Sequence, residues 1–173
     1  MAEPKSTTET LGKLKRSALG HYIDYGKTAP KYFRIGKDVE DMSVELNPDT
    51  ETVKNILDET SVSDNGYEPS IDVDTYYANP SDGDFYIWLR DIAMERKTGE
   101  DCKAKALEVI ADKVNGPFNA WLEDVIIKPT SYGGAQGGVR IPYTITFCGN
   151  RQKGTAAISA DFVPTFTPAT SAT

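Results

Sequence analysis

Hydrophobic and polar positions alternate along much of the chain, and the spacing is more often that of a strand than of a helix. Ile71, Val73, Thr75 and Tyr77 take turns with Asp72, Asp74 and Tyr76, a period of two that predicts a strand with one face in water. Val139, Ile141, Tyr143, Ile145 and Phe147 repeat the device against Arg140, Pro142, Thr144 and Thr146. Pro142 has no N–H for a ladder, so this strand is expected at a sheet edge or with a bulge. Trp121, Val125 and Ile127 mark a strand near 119–128, and Leu107 and Val109 another near 103–111. Asn115-Gly116-Pro117 between them is turn chemistry and predicts a hairpin. The glycine-rich run 133–138 then links 119–128 to 139–148.

One segment has helical spacing. Phe85, Trp88, Leu89 and Ile92 fall at i, i+3, i+4 and i+7, which predicts an apolar helix face over about 82–98. Ser81 or Asp82 can cap its start, Asp82 and Asp84 suit the positive end of the dipole, and Gly99 can close it. One helix among six or seven strands predicts a mainly β fold, a small sandwich or barrel with one flanking helix. Residues 46–66 read as a long polar loop with turn signals at both ends, within which Val53, Ile56 and Leu57 need cover. Residues 1–30 read as an N-terminal arm, partly disordered, 31–163 as the β domain, and 164–173, rich in Pro, Thr and Ala, as a flexible tail.

Composition sharpens the picture. A chain of 173 residues, 39% apolar, suits one domain with a modest core. No apolar run approaches the roughly 20 residues needed to cross a bilayer. The opening Met-Ala-Glu-Pro-Lys lacks a signal peptide's apolar stretch, so the expectation is a cytosolic product with no membrane partner. Cys102 and Cys148 stand far apart without neighbouring ligands and read as free thiols. Residues 1–30 carry five basic and three acidic groups, whereas 31–101 carry seven basic and eighteen acidic. Nucleic-acid binding needs clustered cations, the reverse of this acidic middle. Opposite charge along one chain suits subunits that associate with each other.

Candidate chemistry is sparse. His21 is the sole histidine, so any triad would run through a residue in the arm. Asp72 and Asp74 could hold a cation or act as acid and base, but an amphipathic strand's wet face explains them without a third ligand. The glycine run lacks a Gly-Lys-Ser/Thr ending and precedes a strand, so it is no phosphate loop. Tyr76 and Tyr77 are flanked by carboxylates that would repel a single strand of nucleic acid. No catalytic, cofactor-binding or metal residue is assigned, and the expectation is a non-enzymatic structural protein.

An ordered series of short stretches carries a resemblance. It comprises Tyr32-Phe33-Arg34-Ile35-Gly36-Lys37, Val44-Glu45-Leu46-Asn47-Pro48-Asp49, Glu51-Thr52-Val53-Lys54-Asn55-Ile56-Leu57, Gly66-Tyr67-Glu68-Pro69, Glu95-Arg96-Lys97-Thr98-Gly99, Ser131-Tyr132-Gly133-Gly134 and Gly149-Asn150-Arg151-Gln152-Lys153-Gly154. Over about 31–155 the series resembles the major tail tube proteins of long-tailed bacteriophages of Gram-positive hosts. The resemblance implies a tail-tube-type β-sandwich or barrel, assembled as stacked hexameric rings whose lumen conducts double-stranded DNA without binding it. It also implies a place in the virion tail, after synthesis in the host cytoplasm. Its partners would be copies of itself, a tape-measure protein, a tail terminator and a distal tail protein. By that analogy Asn47, Pro48, Asp49, Glu51, Lys54 and Asn55 belong to an inter-ring loop, and Asp72 and Asp74 are candidates for the lumen face. The alternatives are a tube subunit of a contractile phage-derived particle or secretion system, and a monomeric β-domain that binds carbohydrate or protein.

Overall fold

The computed structural model describes residues 12–170. It is mainly β with one α-helix, in the order β1 (Leu19–Asp24), β2 (Tyr32–Ile35), β3 (Pro48–Lys54), β4 (Thr60–Tyr67), β5 (Ser70–Val73), α1 (Asp84–Glu95), β6 (Lys103–Ile110), β7 (Phe118–Pro129), β8 (Tyr143–Ile158) and β9 (Pro164–Pro168). One seven-stranded sheet follows the path β2-β1-β6-β7-β8-β5, with β9 also paired to β8, while β3 and β4 form a separate two-stranded sheet. Among the described residues no helix is long and apolar enough to cross a membrane.

The chain divides into two compact units. The first takes the described parts of Met1–Ile35 and Asn150–Thr173 together with Ala106–Glu123. Tyr22, Leu107, Val109, Ala120 and Ala156 form its core, with Tyr32, Phe118, Leu122, Ile158 and Phe166 packed around them. Gly154 is required where β9 crosses β8, because a Cβ there would lie 2.2 Å from Thr167 O and 2.7 Å from the Phe166 ring.

Two expectations about the termini are corrected here. Leu19–Asp24, the inner part of the expected arm, is a regular sheet strand paired with β2 from His21↔Ile35 to Asp24↔Tyr32, and His21 through Asp24 are all buried. Burial on both faces removes the alternation that announces a strand. Residues Pro164–Pro168 are likewise no loose tail, since they pair with β8 from Gly154↔Pro168 to Ile158↔Pro164. Residues 1–11 and 171–173, the remainder of the expected arm and tail, lie outside the described residues.

The second unit comprises Gly36–Lys105 and Asp124–Gly149. Its helix is shorter than the 82–98 expected. A 3-10 turn at Pro80–Asp82, where the Asn79 side chain accepts from Ser81 N, precedes it, and Gly83 at φ 65° is the N-cap. Asp82 is not a cap: its Oδ2 accepts the Tyr76 hydroxyl at 2.9 Å. Arg96, not Gly99, makes the left-handed turn that ends the helix, its N–H reaching Ile92 O. Phe85 and Leu89 are fully buried and Ile92 nearly so, as their spacing predicts. Phe85 packs edge-on against Tyr76 and Tyr143, with ring centroids at 5.7 and 6.3 Å. Trp88 is half-buried and donates to Asp101 O at 3.1 Å.

The strand over 71–77 is also shorter than expected. β5 ends at Val73, and beyond it Tyr76 is buried while Tyr77 is 36% exposed, the opposite of the phase that alternation gave. Residues 76–78 instead meet 139–141 through Ile141 N to Tyr76 O and Ala78 N to Val139 O, both 2.8 Å. Pro142 ends just before β8, and its carbonyl accepts Thr130 N at 2.9 Å, so no ladder donor is lost. The glycine run folds back on Arg140, whose N–H reaches Gly133 O at 2.6 Å. A Cβ on Gly134 would come within 2.1 Å of Gly138 O, so a close backbone approach explains this composition.

Candidate functional site

Residues 46–66 were expected to form an irregular loop; they form most of a β-hairpin. β3 and β4 pair from Pro48↔Tyr67 to Lys54↔Thr60, with a register shift at Asp49/Thr50. Nearly every residue of both strands is exposed. With both faces in water the segment has no inward set of apolar residues, which is why its alternation is invisible in the sequence.

The candidate inter-ring residues hold this hairpin together. Asn47, at φ 44°, anchors its base: its side-chain Nδ2 donates to Glu68 O at 3.0 Å, and its carbonyl accepts Glu68 N at 3.2 Å. Pro48, Asp49, Glu51 and Lys54 lie on β3. Asn55 builds the tip, its Oδ1 accepting Leu57 N and Glu59 N at 2.9 and 3.0 Å while its Nδ2 donates to Glu59 Oε2 at 2.7 Å. Lys54 pairs with Asp58 at 3.0 Å. Among the described residues neither Asp49 nor Glu51 makes an ion pair.

The tip is apolar and uncovered. Ile56 is fully exposed, Leu57 73% and Val62 70% exposed. An isolated two-stranded hairpin is marginally stable in water, and burying one such aliphatic side chain contributes about 1.5–3 kcal/mol. Seating Ile56 and Leu57 against another surface would therefore contribute roughly 3–6 kcal/mol.

Asp72 and Asp74 are not side by side on one strand. Asp72 lies on β5 and accepts the Thr144 hydroxyl at 2.8 Å. Asp74 lies beyond the strand's end, in an open cleft of about 620 Å³ with Asp38, Glu40, Asp41, Tyr77 and Arg140. The Arg140 guanidinium stands 5.9 Å from the Tyr77 ring centre.

A cluster of two buried carboxylates and one partly exposed guanidinium in the first unit is not legible in the sequence. Arg151 reaches Glu123 Oε2 at 2.7 Å and Glu108 Oε2 at 2.6 Å, and lies 5.8 Å from the centre of the Trp121 ring. Both glutamates are buried. The available signal was Glu123 at the same strand parity as Trp121, Val125 and Ile127. His21 Nδ1 is 3.6 Å from Glu108 Oε1, beyond hydrogen-bonding distance, and neither ring nitrogen has a partner among the described residues. Burial pushes the imidazole down to about 4, helped by the charge of Arg16. The Glu108 carboxylate pulls the other way, but it is 3.6 Å off and its other oxygen is bonded to Arg151, so burial wins. A neutral histidine without a bonded carboxylate lacks the triad's orienting contact.

No protein-family model matches the chain, and no curated protein matches it in sequence. In fold it is similar to the sheath/tube terminator of an extracellular contractile injection system, the PVC particle in its extended state. The TM-score is 0.52 at 9% identity, over 83% of this chain and 97% of that one. It is also similar to the tube-terminating cap of the anti-feeding prophage, with TM-score 0.51 at 12% identity over 90% of this chain and all of that one. The fold is thus one shared with a sheath/tube terminator and a tube-terminating cap.

Proposed function

We propose that this protein is a non-enzymatic structural subunit of a phage-tail-like particle, assembling as a ring of identical copies on or within the tail tube. The observation that carries the reading is the exposed β3–β4 hairpin with its bare Ile56–Leu57 tip, on a fold shared with tube terminator and cap proteins. The hairpin is the contact with a neighbouring copy or ring. A head-to-tail interface of this kind closes into a ring when its rotation allows.

The likeness to two tube-end proteins favours a terminating position over a repeating one. The repeating-subunit reading, a tube protein of a long-tailed phage of a Gram-positive host, draws support from the ordered motifs over about 31–155. In either position the acidic stretch containing Asp72 and Asp74 would face passing DNA without gripping it, since each cationic phosphate contact adds affinity. The tape-measure protein is a further partner under both readings, and a distal tail protein and terminator under the second. Electron microscopy of the concentrated protein separates them: discrete single rings are expected of a terminator and open-ended stacks of a tube subunit. A uniform field of small globules would refute both.

A further inference from the structure

The main sheet offers three outer edges, and they are not equivalent. Antiparallel ladders point alternate residues toward and away from the partner strand. In β9 the bonds Ala169 N to Lys153 O and Ser159 N to Val163 O fix the phase, so Pro164, Phe166 and Pro168 turn outward. Prolines occupy two of those three positions and have no N–H, which blunts this edge. The outer side of β5 is bridged by Glu45, which exchanges 2.9 Å bonds with Ser70 in both directions. In β2 the bond Tyr25 N to Lys31 O and the β1 register turn Tyr32 and Arg34 outward. Both keep their N–H, and among the described residues the sheet path ends there.

Charge distinguishes the same edge. Residues 12–37 hold seven basic groups and one acidic, whereas 38–84 hold fourteen acidic and one basic. Lys31, Arg34 and Lys37 are exposed on and beside β2. The hairpin supplies the complement. The bond Asn55 N to Glu59 O sets the phase so that Thr50, Thr52 and Lys54 turn their backbone groups outward from β3. Beside them stand the carboxylates of Asp49 and Glu51, which make no ion pair among the described residues.

We infer that the β2 edge of one copy receives β3 of the hairpin from a second copy, the acidic strand that carries Asp49 and Glu51 lying along the basic edge that carries Lys31 and Arg34. This rests on reading the hairpin as an assembly contact and adds the surface that receives it. Strand addition supplies the affinity, and the opposed charges fix direction and reject the like-charged pairing of two hairpins. The blunted β9 edge keeps growth to one side of the sheet.

Charge exchange tests the inference, with assembly followed by sedimentation and folding by circular dichroism. Asp49→Lys with Glu51→Lys is expected to abolish assembly, as is Lys31→Glu with Arg34→Glu, and all four together to restore it. Should the hairpin pair leave assembly intact, or the unaltered chain never assemble, both the hairpin reading and the inference fall. Should the hairpin pair abolish assembly while the β2 pair does not, or the fourfold exchange fail to restore it, the inference alone falls. Zero-length carbodiimide cross-linking of the unaltered assembly avoids any folding defect. The expected product joins Lys31 to Asp49 or Glu51 of another copy. Hairpin carboxylates joined only to other lysines would overturn the assignment.

Discussion

His21 offers a sharp test of the interior because the chain contains no other histidine. The ring is 4% exposed, and burial, aided by Arg16, takes it from 6.5 to about 4. At pH 5.5 an ordinary imidazole is about 90% protonated and this one only about 3%. The folded-state value is depressed, so the unfolded chain binds the extra proton. The neutral ring's stabilisation is therefore complete above pH 6.5 and is lost as the pH falls toward 4. Between pH 7.5 and 5.5 the cost is about 1.3 kcal/mol, and the full range is worth about 3 kcal/mol. Working no lower than pH 5.5 also keeps the protein above its sequence pI of 4.8. The His21 ring protons, followed by NMR from pH 7.5 to 5.5, should barely move. In urea melts over the same interval the wild type should lose about 1.3 kcal/mol more than His21→Leu. A midpoint at or above 6.5 would show that the Glu108 carboxylate, 3.6 Å away, outweighs burial, and would refute the reasoning.

Other consequences follow from the same packing. Arg151→Met strands the buried carboxylates of Glu108 and Glu123; discounted for the guanidinium's partial exposure, the expected loss is about 2–4 kcal/mol, and a urea-melt change below 1 kcal/mol would contradict it. Gly154→Ala should cost about 1–3 kcal/mol through overpacking and release β9, read as faster amide exchange at Thr165 and Thr167; unchanged exchange would contradict it. Ile56→Ser with Leu57→Ser should leave monomer stability within about 0.5 kcal/mol while raising the concentration needed for assembly, and equal assembly of both forms would argue against the hairpin contact.

Legibility in the sequence tracked how one-sided each element's burial is. Helix α1 was readable because Phe85, Leu89 and Ile92 face the core and its other side is largely wet. β7 was found for a similar reason through Val125 and Ile127. β1 escaped because His21 to Asp24 are buried on both faces, and β3–β4 because it is buried on neither. β9 was hidden by the prolines that blunt its outer edge. In β8 the buried set changes phase between Phe147 and Ala156, and Gly149 and Asn150, both at positive φ, lie between them as at a bulge. A simple period of two could not follow the strand through that point. The hairpin residues Asn47 to Asn55 were singled out through resemblance rather than pattern. The Glu108–Arg151–Glu123 cluster needed three strands brought together before its charges could be paired.

The most direct test of the account is the solution mass of the unaltered protein across a concentration series, measured by native mass spectrometry. A head-to-tail contact that closes predicts one dominant species at a fixed multiple of 19.0 kDa, or stacks of that species, with little between it and the monomer. A 19.0 kDa monomer at every concentration would contradict it.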